Sequence, residues 1–278
     1  SLVAPAVRGI GAFNDTFVCI PEYLKGYGTT VSIAVSSSQE PLVGVPSTPP
    51  DPSTTCEDAD RREFLIDVMR EQNADVVGLQ EALDFQIDEI VAALPFYGVI
   101  GVGRDDGARK GEYSAILFRR DRFQVSDAGT FWFSDTPEVV ASKSWGNTIT
   151  RICTWARLVD RDGRAFWHYN VHLDHQSQPS RERSAQLLRQ RIDARRFPQE
   201  PVVITGDFNA GEKNPAVASM TAGGANVDTF RVKHPDEKNV GTFSAFDLGK
   251  TGVEKIDYVF VPAGTDVISA AIVRTARN

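Results

Sequence analysis

The chain has 278 residues, 41% of them hydrophobic and 24% charged, with a formal net charge of −7. That length suits one large domain or two small ones. No apolar run nears the roughly 18 residues needed to cross a bilayer, and the acidic balance argues against duplex DNA as substrate, because a basic face dominates duplex binding.

Ser1–Val7 has neither a basic n-region nor an apolar h-region, so no targeting signal is visible. A mature start after signal removal is equally compatible, and the location stays open between secreted and cytoplasmic. Residues 8–14 read as a first strand ending in Asn14. Asn14-Asp15-Thr16 is also a glycosylation sequon, meaningful only in a secretory setting. Residues 21–55, rich in Pro, Ser, Thr and Gly, form a loop or insertion with a short strand at Val31–Val35. Cys19 and Cys56 flank this segment and can pair if the protein is exported. Cys153 lies in a strand-like run and reads as a buried thiol, and no cysteine pair has metal-type spacing.

Thr54 and Glu57 make a capping box. Behind it Phe64, Leu65, Val68 and Met69 line one face of a helix that ends at Asn73-Ala74. A buried strand, Asp75 to Glu81, follows, then a helix from Leu83 to Leu94 stopped by Pro95. Strands are expected at Tyr97–Gly103, Tyr113–Phe118, Gly129–Phe133, Thr148–Val159 and Arg164–Leu173, with a hairpin turn at Asp160-Arg161-Asp162-Gly163. Polar loops at 104–107 and 142–147 interrupt them. A helix over Ser180–Arg196 turns Ala185, Leu188 and Ile192 inward. A buried strand from Val202 that ends in Gly206-Asp207-Phe208-Asn209, a short helix at Pro215–Thr221, and strands at Thr242–Phe246, Lys255–Val261 and Val267–Val273 complete the chain. Strands outnumber helices and helices precede strands, which fits two packed sheets with helices outside.

Four strand ends carry polar groups that strand ends do not need. Glu81 closes one apolar run. Asn170, His172 and Asp174 share one face by alternation. Val202-Val203-Ile204-Thr205 runs into Gly206-Asp207-Phe208-Asn209, where Gly206 gives the backbone freedom and alternation puts Asp207 and Asn209 on one side. An Asx turn is the plain alternative for those four residues. Asp257 sits within the apolar Ile256–Val261, where a carboxylate is costly unless paired. Carboxylate and amide oxygens are hard donors that suit Mg2+ or Mn2+. No Gly-x-Ser-x-Gly elbow or P-loop is present. Metal-assisted hydrolysis is the chemistry these residues fit.

Gln80-Glu81, Asn170-x-His172-Leu173-Asp174, Gly206-Asp207-Phe208-Asn209 and Ile256-Asp257-Tyr258 follow the order and spacing of the endonuclease/exonuclease/phosphatase superfamily, which the chain resembles from about residue 60 to 262. Gly103–Gly107, Gly111-Glu112-Tyr113 and Phe131–Pro137 look like the branch near deadenylase-type and uncharacterised bacterial and fungal members. The resemblance implies an α/β (α+β) four-layer sandwich of the deoxyribonuclease I-like kind, two mainly antiparallel sheets flanked by helices, as one domain over 1–278. It implies Glu81 and Asn14 at the metal, Asp207 on the attacking water, Asn209 and His172 on the phosphate, and Asp257 orienting a second histidine.

Asn170, Arg104, Arg151 and Trp145 are candidate substrate contacts. Each arginine reads equally as a structural ion-pair partner, and Trp145 as packing. The superfamily pattern continues into Ser-Asp-His and a last strand, whereas this sequence stops at Asn278. A longer protein, a substitute residue and a non-catalytic member are the three explanations, the first being favoured. The implied activity is metal-dependent hydrolysis of a phosphorylated small molecule or phosphodiester by a monomer. The alternatives are a nuclease or deadenylase on single-stranded nucleic acid, and a degenerate binding module.

Overall fold

Alternation along one strand sorts the molecule into layers. In Ala165–His172, Trp167, Tyr169 and Val171 pack outward against helices, while His168, Asn170 and His172 face inward towards a second sheet. The computed structural model describes residues 7–11, 30–36, 56–243 and 254–273, with side chains from Arg62 onwards.

In chain order the elements are β1 (Val7–Gly11), β2 (Thr30–Ser36), α1 (Cys56–Gln72), β3 (Val76–Gln80), α2 (Asp84–Ala93), β4 (Tyr97–Ile100), β5 (Ile116–Arg119), β6 (Phe123–Trp132), β7 (Ile152–Asp160), β8 (Ala165–His172), α3 (Gln178–Asp193), β9 (Val202–Asp207), α4 (Pro215–Thr221), β10 (Asn226–Asp228), α5 (Thr229–Lys233), β11 (Asp257–Pro262) and β12 (Val267–Ile272). The first sheet runs β12-β1-β2-β3-β5-β4 and the second β10-β11-β9-β8-β7-β6. Pairing is antiparallel except for β1 with β12 and β8 with β9. This is the expected sandwich of two mainly antiparallel sheets with helices outside.

Each sheet buries its outer face under helices. Phe64, Val68 and Met69 of α1 and Ile87 and Ile90 of α2 cover Val77, Leu79 and Leu117. Ala185, Leu188 and Ile192 of α3, with Ala216, Val217 and Met220 of α4, cover Tyr169, Val171, Ile204 and Phe260. Ser177 caps α3, its side chain accepting from Ser180 N. Between the sheets lie two smaller apolar clusters, one around Val203, Val259 and Val261 and one around Val76, Ile116 and Leu158.

A polar strap also crosses between the sheets. Asn170 Nδ2 donates to the carbonyls of Leu79 (2.8 Å) and Ala115 (2.9 Å), while its Oδ1 accepts from Gln80 Nε2 (2.5 Å) and Thr205 Oγ1 (2.8 Å). Since Thr205 gives its proton to Asn170, it accepts from His168, whose Nε2 therefore carries the hydrogen. Burial pushes the His168 pKa down to about 3, so the ring is neutral. The strap passes directly over Gly78, where a Cβ would lie 2.4 Å from both Asn170 Oδ1 and Thr205 Oγ1.

Some expected features are present as read and others shift. The strand at Val31–Val35 is present as β2 and lies between β1 and β3. The strand expected from Gly129 begins at Phe123, with a bulge between Val125 and Asp127. Tyr113 forms only an isolated bridge to Ala82. Thr242 and Phe243 are not in a strand, while the other residues of the strand expected at Thr242–Phe246 lie outside the described residues. The short β10 and α5 are too brief to show a period in the sequence. Cys153 is a buried free thiol. The capping box, Cys19, the Cys56 side chain and Asn14 lie outside the described residues. Among the described residues no helix is long and apolar enough to cross a membrane.

Candidate active site

The inward-facing row at the carboxyl ends of β8 and β9 is set by register. His172 pairs with Asp207 across the parallel β8–β9 ladder, and Asp207 pairs with Asp257 across the antiparallel β9–β11 ladder. Residues in register present their side chains to the same face, so three neighbouring strands deliver His172, Asp207 and Asp257 in one line. The opposite sheet contributes Glu81, the residue after β3, held in the left-handed region at φ 63°. His172 Nε2 lies 3.7 Å from both Glu81 Oε1 and Asp207 Oδ2.

Gly206 makes the end of β9 possible. Its φ is +146°, and a Cβ there would come within 2.1 Å of the Val171 carbonyl oxygen. After Asp207 the chain leaves the strand. Asn209 has φ 47°, its N–H donates to Asp207 Oδ1 (2.6 Å), and its side-chain amide donates to the Leu173 carbonyl (3.0 Å). The Asx turn and a polar cluster are therefore both present. Simple alternation does not extend to Asn209.

The acidic groups share one field. Burial first, then the charges of Glu112 and Asp207, raise the Glu81 pKa to about 8. Burial raises Asp207 to about 6, against the opposing Asn209 N–H and Arg151. Asp257 is held well above the ordinary carboxylate range by burial and by Asp207, and its Oδ1 is buried without a hydrogen-bond partner.

Opposite this acidic side stands a row of donors. The buried Arg151 puts Nη1 3.0 and 3.1 Å from the two ring nitrogens of His172, Nη2 2.8 Å from His175 Nδ1, and Nε 3.5 Å from Asp174 Oδ2. Burial, then the Arg151 and Arg104 charges, hold the His172 pKa well below its ordinary value, so the imidazole is neutral. Asp174 also accepts from Gln176 N and Ser177 N, which fixes the turn into α3.

Arg104 takes up the ion-pair reading open to it from the sequence, with Glu112 as its partner. Its Nη1 donates to Glu112 Oε2 at 2.5 Å. Glu112, Glu81 and His172 each offer one ligand atom, all within 4.8 Å of one another. The hairpin bearing Arg104 and Glu112 is pinned on both sides. Trp132 Nε1 donates to the Arg104 carbonyl (2.7 Å), and Arg109 pairs with Asp84 and Asp88 of α2. The sequence signal for Glu112 was a carboxylate between Gly111 and an apolar run.

Two other candidates are placed elsewhere. Asn170 is fully buried, and both its amide protons and its oxygen are occupied by the strap, leaving nothing for a substrate. The half-buried Trp145 packs against the helix-side core, with Nε1 donating to Asp135 Oδ1 (2.8 Å). Glu81, Glu112, Asp207 and Asp257 offer hard oxygen donors. The raised pKa values of Glu81, Asp207 and Asp257, and the unpartnered Asp257 Oδ1, fit a divalent cation such as Mg2+ or Mn2+.

Comparison with known proteins gives the family and the fold. The sequence pattern of the Endonuclease/Exonuclease/phosphatase family matches residues 37–277. The chain belongs to that family. Among solved structures, a mannosyl-6-phosphatase from Bacteroides thetaiotaomicron is 33% identical, with a TM-score of 0.69 over 74% of this chain and 78% of that one. A family protein from Bacteroides vulgatus is 29% identical, with a TM-score of 0.66 over 75% and 82%. The human nocturnin catalytic domain, 14% identical with a TM-score of 0.59 over 73% and 74%, shares the fold. An uncharacterised protein of Acanthamoeba polyphaga mimivirus is 27% identical over 161 residues, so the match spans 55% of this chain and 59% of that relative.

Proposed function

We propose that the protein is a divalent-cation-dependent phosphoester hydrolase whose substrate is a small phosphorylated molecule, with sugar phosphate monoesters the class to test first. The observation that carries this reading is the in-register row His172–Asp207–Asp257 facing Glu81. It gathers carboxylates whose raised pKa values call for a cation, beside a neutral histidine backed by a buried arginine. Likeness to a mannosyl-6-phosphatase at 33% identity supports the substrate class, and the net charge of −7 weighs against a long polyanion.

In this reading Glu81 and Glu112 hold the cation, which supplies Lewis-acid polarisation of a phosphoryl oxygen. Asp207, with a pKa near 6, accepts a proton from the attacking water as the new P–O bond forms. The ester P–O bond breaks on the far side, and the leaving oxygen takes up a proton from solvent. His172 donates a hydrogen bond to the phosphoryl group, and Arg151 adds fixed positive charge behind it. Asn209 shapes the turn that holds Asp207.

The test is product release from mannose 6-phosphate, p-nitrophenyl phosphate, bis-p-nitrophenyl phosphate and a single-stranded oligonucleotide, each with Mg2+ or Mn2+. Preference for the monoesters supports the reading. Preference for the oligonucleotide replaces the small-molecule substrate with single-stranded nucleic acid.

A further inference from the structure

His175 follows directly on the motif Asn170-x-His172-Leu173-Asp174, and the structure sets it in the same array as His172. Arg151 bridges the two. Its Nη1 lies against the His172 ring, and its Nη2 donates to His175 Nδ1 at 2.8 Å. A guanidinium can only donate, so Nδ1 of His175 must be the acceptor. A ring whose Nδ1 accepts carries its N–H on Nε2. His175 is solvent-exposed, and its ring makes no other hydrogen bond among the described residues. The donor row opposite the carboxylates thus runs from Arg104 through Arg151 and His172 and ends at the exposed edge in an unoccupied N–H. Two further hydrogen bonds, from Gln176 N and Ser177 N to Asp174 Oδ1, hold the backbone immediately after His175.

We propose that His175 is a substrate-binding residue whose Nε2–H donates to a phosphoryl oxygen, with Arg151 setting the tautomer that makes it a donor. The inference rests on the phosphoester reading of the same site. It assigns a hydrogen bond and no proton transfer, because Nδ1 is engaged as an acceptor. His172 and His175 then grip the phosphoryl group from the enclosed and the open side, and Arg151 fixes the spacing between them.

The experiment measures inorganic phosphate binding to the Mn2+-loaded protein by calorimetry, alongside hydrolysis of p-nitrophenyl phosphate, for wild type, His175→Ala and His175→Gln. The glutamine amide retains an N–H donor near the position of Nε2. The expected result is about tenfold weaker phosphate binding in His175→Ala with unchanged Mn2+ affinity, and recovery to within about threefold of wild type in His175→Gln. In the metal-free protein, 15N shifts of His175 should report the Nε2–H tautomer, and Arg151→Met should abolish that bias. Wild-type phosphate affinity in His175→Ala overturns the proposal, even where hydrolysis is normal. A glutamine variant as weak as alanine at unchanged melting temperature also overturns it. A wild-type protein that binds Mn2+ but neither binds phosphate nor hydrolyses the ester removes the functional reading and this inference together.

Discussion

Asp207 and Asp257 are direct cross-strand partners on β9 and β11, two buried carboxylates facing the same cleft. Like charges placed opposite one another on a sheet are destabilising, and burial raises the cost of each. In the function proposed above, a cation held in the cleft offsets the pair.

That arrangement fixes a pH dependence. The folded-state pKa values of Asp207 (3.8 to about 6) and Glu81 (4.5 to about 8) are raised, so the folded protein binds protons more tightly than the unfolded chain. Their contribution to stability is fully present below the unfolded values and is lost as pH rises through about 6 and about 8. The melting temperature of metal-free protein should therefore fall between roughly pH 4 and 8 on their account, and added Mn2+ should raise it more at pH 8 than at pH 5. Thermal melts with and without EDTA across this range check the sign.

Neutralising one member of the pair should stabilise the empty site. Asp257→Asn is expected to raise the metal-free melting temperature at pH 8 by on the order of 5 °C while weakening Mn2+ binding. Calorimetric titration and melts on the same sample separate the two effects.

Gly206→Ala should be severely destabilising. The added Cβ would meet the Val171 carbonyl oxygen at 2.1 Å in a backbone conformation that L-residues avoid. A loss of about 3 kcal/mol or more is expected, read as a lower urea midpoint or failure to accumulate as folded protein.

The strap offers an independent handle on the distance between Glu81 and Asp207. Asn170→Ala strips partners from Gln80 Nε2, Thr205 Oγ1 and two carbonyls, costing on the order of 3 kcal/mol. Because Gln80 immediately precedes Glu81, cation affinity should fall as well. A stability loss with unchanged Mn2+ affinity would confine Asn170 to holding the sheets together.

Much of this site is legible in the chain because strands follow a period of two. That period places His172 inward, and the apolar run into Gly206-Asp207 marks the end of β9 from sequence alone. It fails where the backbone leaves the strand. Asn209, in the left-handed region, escapes the alternation that would pair it with Asp207. The period also says which face a residue takes but not what waits there, so Asn170 reads as a substrate contact although Leu79, Gln80, Ala115 and Thr205 consume its hydrogen bonds. Glu112 and His175 depend on contacts with Arg104, within the same hairpin, and Arg151, on a neighbouring segment, and no strand or helix period reveals either pairing. The three-residue β10 is too short to carry a period and exists through pairing with β11.

The central claim is that the row His172–Asp207–Asp257 and Glu81 form a cation-dependent phosphoester site. The most direct test strips the protein with EDTA, restores Mg2+ or Mn2+, and follows p-nitrophenyl phosphate and mannose 6-phosphate hydrolysis by wild type and Asp207→Asn. The expected result is turnover that disappears with EDTA, returns with the cation, and falls at least about 100-fold in the variant. Turnover that survives EDTA, or an Asp207→Asn protein as active as wild type, would contradict the account.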